Sequence, residues 1–262
     1  MTATAGLTPP EPGTTTPSAA SGGPLAPLQV QRRIRETADG KTRLSLAARL
    51  TRHGGLIRRP IRWRVVAADR MVVFDGARPA LDLALPPGRY DIFARYGLRR
   101  ITYSVKVRAA ERHELVFVLD VGALRALAGL WRLPLPPDVA VEYRLHAAGR
   151  ASPLLNHRQA GRVVRLMAGR YELRVRYRPG NVETRAGVTV KAGVLSTLQI
   201  RAKAGLARIR AARWRIRAAA DGWRASGQGG AALVLAPGRY ELHIEGMVRP
   251  FVVQAGRRVE LP

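Results

Sequence analysis

One six-residue phrase recurs three times in this chain and limits what it can fold into: Leu85-Pro86-Pro87-Gly88-Arg89-Tyr90, Leu166-Met167-Ala168-Gly169-Arg170-Tyr171 and Leu235-Ala236-Pro237-Gly238-Arg239-Tyr240. The first copy follows the short run Ala80-Leu81-Asp82-Leu83 and opens the alternating run Asp91-Ile92-Phe93-Ala94-Arg95-Tyr96. Alternation with period two marks a half-buried strand. A Gly two residues before the Tyr suits a sharp reversal, because glycine takes backbone angles that other residues resist. A second landmark keeps step. Ile61-Arg62-Trp63-Arg64-Val65, Val141-Glu142-Tyr143-Arg144-Leu145 and Ala212-Arg213-Trp214-Arg215-Ile216 share one pattern, and their aromatic residues stand 27, 28 and 26 residues before the Tyr that follows. Two landmarks in register over three copies define an internal repeat.

The repeat predicts an all-β protein of three tandem immunoglobulin-like or prealbumin-like antiparallel β-sandwich repeats behind a disordered N-terminal segment. Tyr90, Tyr171 and Tyr240 are expected to bury their rings and return a hydroxyl to upstream backbone, the tyrosine-corner arrangement of such sandwiches. Trp63, Tyr143 and Trp214 are expected to fill the cores. The boundaries read as 1–40 for the linker, 41–120 and 121–203 for the first two repeats, and 204–262 for a shorter third. Residues 1–27 are nearly all Thr, Ala, Pro, Gly and Ser, too poor in apolar surface to offset the entropy of ordering. They lack the basic and apolar regions of a secretory signal and resemble an interdomain segment, with the native start expected upstream. The polar stretch from Leu28 to Gly40 is read with this linker. Seven strands are expected in the first repeat, its last two (Ile101–Val107 and Glu114–Leu119) closing as a hairpin. Leu124 to Trp131 has a helical composition, but its place in the repeat predicts a strand. Gly227 to Gly230 reads as a flexible hairpin tip. The third repeat ends where the others finish their last strand, so the carboxyl end is expected to be authentic.

These residues resemble bacterial carboxypeptidase-regulatory-like and PEGA-type sandwich modules, and the Leu-Pro-Pro-Gly-Arg-Tyr cadence is similar to accessory repeats found beside von Willebrand A domains. The resemblance covers residues 42–262. It implies a non-catalytic role as spacer, adhesion or carbohydrate-binding-like module at the cell envelope or periplasm, and carries over no catalytic residue. The chain departs from that pattern in its high charge and in lacking an export signal, and the latter favours the cytoplasm where the resemblance favours the envelope.

Chemistry is sparse. The chain has no Cys, so disulfides, thiolate metal sites and a Cys nucleophile are excluded. His53, His113, His146, His157 and His243 fall at different places in their repeats, and none has zinc-ligand spacing with another. The acids are scattered singly, and no phosphate-loop motif is present. No catalytic, cofactor-binding or metal residue is assigned, no small-molecule substrate is expected, and the chain reads as non-enzymatic. No run of apolar residues is long enough to span a membrane as a helix.

Charge is the functional signal. Lys and Arg number 45 against 18 Asp and Glu, a net +27, and only Lys41, Lys106, Lys191 and Lys203 are not Arg. All three repeats share the excess: +10 over 41–120 (17 against 7), +11 over 121–203 (15 against 4) and +6 over 204–262 (10 against 4). Such a surface attracts polyanions, although a GC-rich coding bias also inflates Arg. Arg208, Arg210, Arg213, Arg215 and Arg217 alternate with apolar residues along two neighbouring runs. Paired as a hairpin, they would display five guanidinium groups on one face, and Arg174, Arg176 and Arg178 do the same in the second repeat. Guanidinium suits phosphate, sulfate and carboxylate through paired hydrogen bonds. The reading is a structural or interaction protein that binds an anionic partner (another protein, an acidic polysaccharide or lipid headgroups) or assembles in an envelope complex. The alternative is a cytoplasmic protein bound non-specifically to nucleic-acid backbone, with only Trp131 and Trp223 left to stack on bases.

Overall fold

A computed structural model describes residues 28–262, and the disordered segment expected over 1–27 lies outside them. The described chain is all-β and separates into two compact units: one holds residues 28–121 together with Arg165–Met167, the other holds Gly122–Val164 and Ala168–Pro262.

The first unit contains β1 (Gln29–Glu36), β2 (Arg43–Arg49), β3 (Ile61–Ala67), β4 (Val72–Arg78), β5 (Leu81–Ala84), β6 (Gly88–Tyr96), β7 (Arg99–Val107) and β8 (Glu111–Val118). Two sheets form, in the orders β1-β8-β2-β5 and β4-β3-β6-β7. Alternation sets the packing: Leu44, Leu46 and Ala48 of β2 face Trp63 and Val65 of β3 and Ile92 of β6, all fully buried. Trp63 meets Phe117 of the facing sheet with ring centroids 5.8 Å apart, and truncating a buried Trp to Ala costs about 3–5 kcal/mol.

Two sequence expectations are corrected here. Residues 29–36 are not linker but strand β1, paired antiparallel with β8 from Gln29–Val118 to Glu36–Glu111. Its side chains are almost all exposed, so ladder hydrogen bonds hold it, and no apolar pattern announced it. The last two strands do not close as a hairpin either. β7 pairs with β6, while β8 crosses to the other sheet and runs parallel to β2.

The plan repeats twice more along the chain. The first of these sets is β9 (Val121–Leu130), β10 (Ala140–Ala147), β11 (Pro153–His157), β12 (Val163–Met167), β13 (Gly169–Arg178), β14 (Glu183–Val190) and β15 (Leu195–Ala202). The next is β16 (Gly205–Ile209), β17 (Arg213–Ala218), β18 (Arg224–Gln228), β19 (Ala231–Leu235), β20 (Gly238–Ile244), β21 (Met247–Val253) and β22 (Arg258–Leu261). Their sheets run β12-β9-β15 and β11-β10-β13-β14, then β19-β16-β22 and β18-β17-β20-β21. The helix-like run of Leu124 is strand β9, as its place in the repeat predicts. Each sandwich carries one parallel ladder joining its first and last repeat strands, β2–β8, β9–β15 and β16–β22. The sandwiches are therefore mixed rather than purely antiparallel. A parallel pair cannot be joined by a tight turn, so alternation along single strands does not reveal it.

The landmark residues sit where packing needs them. Trp63, Tyr143 and Trp214 are 0, 1 and 7 % exposed. The Trp63 Nε1–H donates to the Arg78 carbonyl and the Trp214 Nε1–H to the Gly229 carbonyl, each at 3.0 Å and each fifteen residues on. Tyr143 instead accepts the Ala128 N–H at 3.2 Å. The Tyr90 hydroxyl donates to the Pro86 carbonyl at 2.6 Å, and that of Tyr240 to the Ala236 carbonyl at 2.8 Å. The glycines before them serve less as backbone pivots than expected, since neither Gly88 nor Gly238 has positive φ.

Candidate anion-binding surface

The expected five-guanidinium stripe does not form. β16 and β17 follow one another in sequence but belong to opposite sheets: β16 pairs with β19 and β22, and β17 with β18 and β20. Arg208 therefore points out of one sheet, in register with Glu260 of β22. Arg210 lies 3.5 Å from the Glu260 carboxylate. Arg213, Arg215 and Arg217 point out of the other sheet. The three-residue link Arg210-Ala211-Ala212, expected as a hairpin turn, instead carries the chain across the sandwich.

The second predicted stripe is present in geometry and neutralised in charge. Arg174 and Arg176 leave β13 on one face, where Arg174 bonds Glu172 at 2.5 Å and Arg176 bonds Glu183 at 2.9 Å. On the same face Arg144 makes two 3.0 Å bonds to Glu142, and Asn156 adds a third at 2.9 Å. The Asn156 and Arg144 bonds hold the Glu142 carboxyl below its usual range, and Arg174 does the same to Glu172. Arg178 stays exposed at the end of its strand. Cross-strand register decides this: Glu142 stands opposite Arg176, and Arg176 opposite Glu183.

The β17 sheet lacks that compensation. Arg213, Arg215 and Arg217 alternate with buried Trp214, Ile216 and Ala218. Arg217 stands between Arg224 of β18, a like-charge pairing that costs stability, and Glu241 of β20, its cross-strand neighbour on the other side. Arg239, alternating with buried Tyr240 and Leu242 on β20, joins the same face. Among the described residues none of these five Arg has a carboxylate within 4.0 Å. The one acid on the face, Glu241, lies 3.7 Å from His243. The neighbouring edge adds the exposed Val248 and Val252.

A third basic face was missed by the stripe search. β3, β6 and β7 turn Arg62, Arg64, Arg89, Arg95, Arg100 and Lys106 outward, against Asp75 and Asp91. Arg62 bonds Asp75 at 3.0 Å, and Asp91 is engaged by Ser104 at 2.5 Å. The Arg62-Trp63-Arg64 alternation was the signal for it.

No protein-family model matches the chain, and no curated protein is similar to it. Similar solved structures include the TIE protein of Bacillus anthracis (15 % identity, 85 % of this chain and 51 % of that chain, TM-score 0.28). A minor pilin of Streptococcus agalactiae (14 % identity, 61 % and 94 %, TM-score 0.33) and a streptococcal ancillary pilin (11 % identity, 84 % and 98 %, TM-score 0.29) are others. The chain spans about half the length of the Bacillus protein. At these TM-scores the likenesses carry no argument about what this chain does.

The remaining chemistry is structural. Among the described residues no group of three or more His, Asp or Glu could hold a metal ion, and no helix is long and apolar enough to cross a membrane. His113 is buried, with Nε2 2.7 Å from Glu111. His146 is buried on β10 opposite Glu172. His157 stacks on Tyr143 with centroids 5.1 Å apart. Neither remaining Trp is a free stacking platform. Arg132 covers Trp131 at 4.1 Å from the ring centroid, and Trp223 packs against the third core.

Proposed function

We propose that the chain is a non-enzymatic interaction protein whose β17 face holds an acidic polysaccharide. The observation that carries this is the uncompensated group Arg213, Arg215, Arg217, Arg224 and Arg239, set beside a second sandwich whose equivalent face is tied up by Glu142, Glu172 and Glu183. Five like charges on one sheet face, offset there only by Glu241 opposite Arg217, cost stability unless a further counter-charge arrives. Alternate residues on β17 lie about 6.8 Å apart, which presents guanidinium groups as a row suited to a linear polymer with repeated carboxylates or sulfates. The face carries no exposed Phe, Tyr or Trp, so a nucleic acid would find charge but, beyond the small His243 ring, little to stack on.

Titration of the full chain with a sulfated and a uronate polysaccharide tests this, with single-stranded DNA as competitor. Changing Arg213, Arg215 and Arg217 together to Ser is expected to weaken polysaccharide binding about tenfold, since exposed ionic contacts contribute about 0.2–1 kcal/mol each. The pair Arg174→Ser and Arg176→Ser should change it less than about twofold, by the same figure applied to side chains already engaged. Equal affinity for the triple variant would overturn the proposal, and preferential binding of DNA would replace the polysaccharide with nucleic acid.

A further inference from the structure

The hairpin tips that follow the first two Tyr strands each reach the strand preceding the next Tyr. Within the second unit, the Asn181 N–H donates to the Val234 carbonyl at 3.3 Å, and the Val234 N–H donates to the Pro179 carbonyl at 3.1 Å. Gly180 allows the approach, because a Cβ there would collide with the Val234 carbonyl oxygen. Within the first unit, which takes in Arg165–Met167, the Leu98 N–H donates to the Arg165 carbonyl at 2.9 Å, and a Cβ on Gly97 would meet that oxygen. Arg165 and Val234 are matched positions, each six residues before its Tyr and each on the edge strand of its sheet.

Two halves of this contact are left unused. The matched position in the first sandwich is Ala84, on the edge strand β5. The Leu85 N–H turns inward to the Thr42 carbonyl, so alternation sends the N–H and C=O of Ala84 to the free side. In the third sandwich the tip Glu245-Gly246 joins β20 to β21, and nothing lies within 4 Å of a Cβ built on Gly246. β20 and β21 have 7 residues where β6 and β7 have 9, and β16 has 5 where β2 has 7. The third sandwich is shorter in these strands, so its tip still stands at its own end.

The surroundings of the two free halves match. Beside the tip are Met247 and Val248, 56 and 54 % exposed, with Arg249, which has no carboxylate within 4.0 Å among the described residues. They border a cleft of about 260 Å³ that Arg210 and Pro262 also line. At the Tyr90 end of the first sandwich are Met71 and Val72, 58 and 44 % exposed, beside Asp69, which has no cation within 4.0 Å among the described residues. Exposed apolar side chains of this size mark contact surfaces, and opposite unpaired charges set their pairing.

We propose that copies of this chain associate head to tail, the Glu245-Gly246 tip of one seating on the β5 edge of the next. The contact is heterologous: it joins two different surfaces, so every added copy leaves one free end and growth continues unless a ring closes. It goes beyond polyanion binding and uses none of the five Arg of the β17 face.

Sedimentation equilibrium of the full chain, freed of polyanions, tests it with two variants. Met247→Lys charges the exposed tip, and Ala84→Pro removes the outward edge N–H, a change an edge strand tolerates. The unaltered chain should gain mass continuously over about a fifty-fold rise in concentration, while each variant alone stays monomeric. Mixed in equal amounts, the variants should form a dimer and stop, because each retains the end the other lacks. That recovery also shows that both fold. A monomeric parent chain, growth indifferent to both variants, or a mixture that stays monomeric would overturn the proposal.

Discussion

Asn181 bonds Tyr240 across 59 residues of sequence. Its Nδ2 donates to the Tyr240 hydroxyl at 3.0 Å, while its Oδ1 accepts the Ala236 N–H at 2.9 Å. The tip of one hairpin thus completes the turn before the last Tyr, and the Tyr240 hydroxyl both accepts and donates.

Tyr240→Phe should therefore cost more than Tyr90→Phe. The first loses two hydrogen bonds and the second one, each with a net value of about 1 kcal/mol. Asn181→Ala should cost about 1–3 kcal/mol by leaving the Ala236 N–H without its acceptor. Urea unfolding of the three variants checks the order, and equal losses for the two Phe variants would remove the role given to Asn181.

Glycines of similar appearance should respond differently to Ala. At Gly238 an added Cβ meets the Tyr240 ring at 3.7 Å, ordinary contact, and φ is not positive. Gly238→Ala should be neutral or stabilise by up to about 1 kcal/mol through the unfolded chain. At Gly227 the Cβ would enter the Trp214 indole, and at Gly180 it would strike the Val234 carbonyl. Each of those should lower Tm by several degrees, at about 1–3 kcal/mol for overpacking. Gly227 lies in β18 and faces Trp214, so the flexible tip expected over Gly227 to Gly230 is confined to the end of that run.

Burial, helped by the charge of Arg162, holds the His157 imidazole below its usual 6.5. The unfolded chain then takes up the proton first. The stability this group contributes is complete above pH 6.5 and is lost as pH falls through the lower folded value. Tm should drop between neutral and mildly acidic pH, and His157→Phe, which keeps a ring against Tyr143, should reduce that drop. An unchanged pH profile for the variant would remove His157 as the cause.

Burial raises the Tyr177 hydroxyl to about 12, with Tyr143 nearby adding to it, while the hydroxyl donates to the Gly129 carbonyl at 2.9 Å. In an alkaline titration followed at the tyrosinate band, Tyr177→Phe should remove a late-ionising component. Loss of an early component instead would show an exposed ring.

The threefold landmarks determined by themselves the fold class, the buried Trp63, Tyr143 and Trp214, and the strands around each Tyr. Those features depend on period-two burial and on turn chemistry, which are local along the chain. Partners across the sandwich were decided only by tertiary structure. Nothing in Arg208-Ile209-Arg210 and Arg213-Trp214-Arg215 says that the link between them changes sheets and divides one stripe into two faces. Register likewise placed Glu183 beside Arg176 and left Arg217 opposite Arg224. A charge is compensated or bare according to residues several strands away, and the order of strands in a sheet is a property of the assembled core.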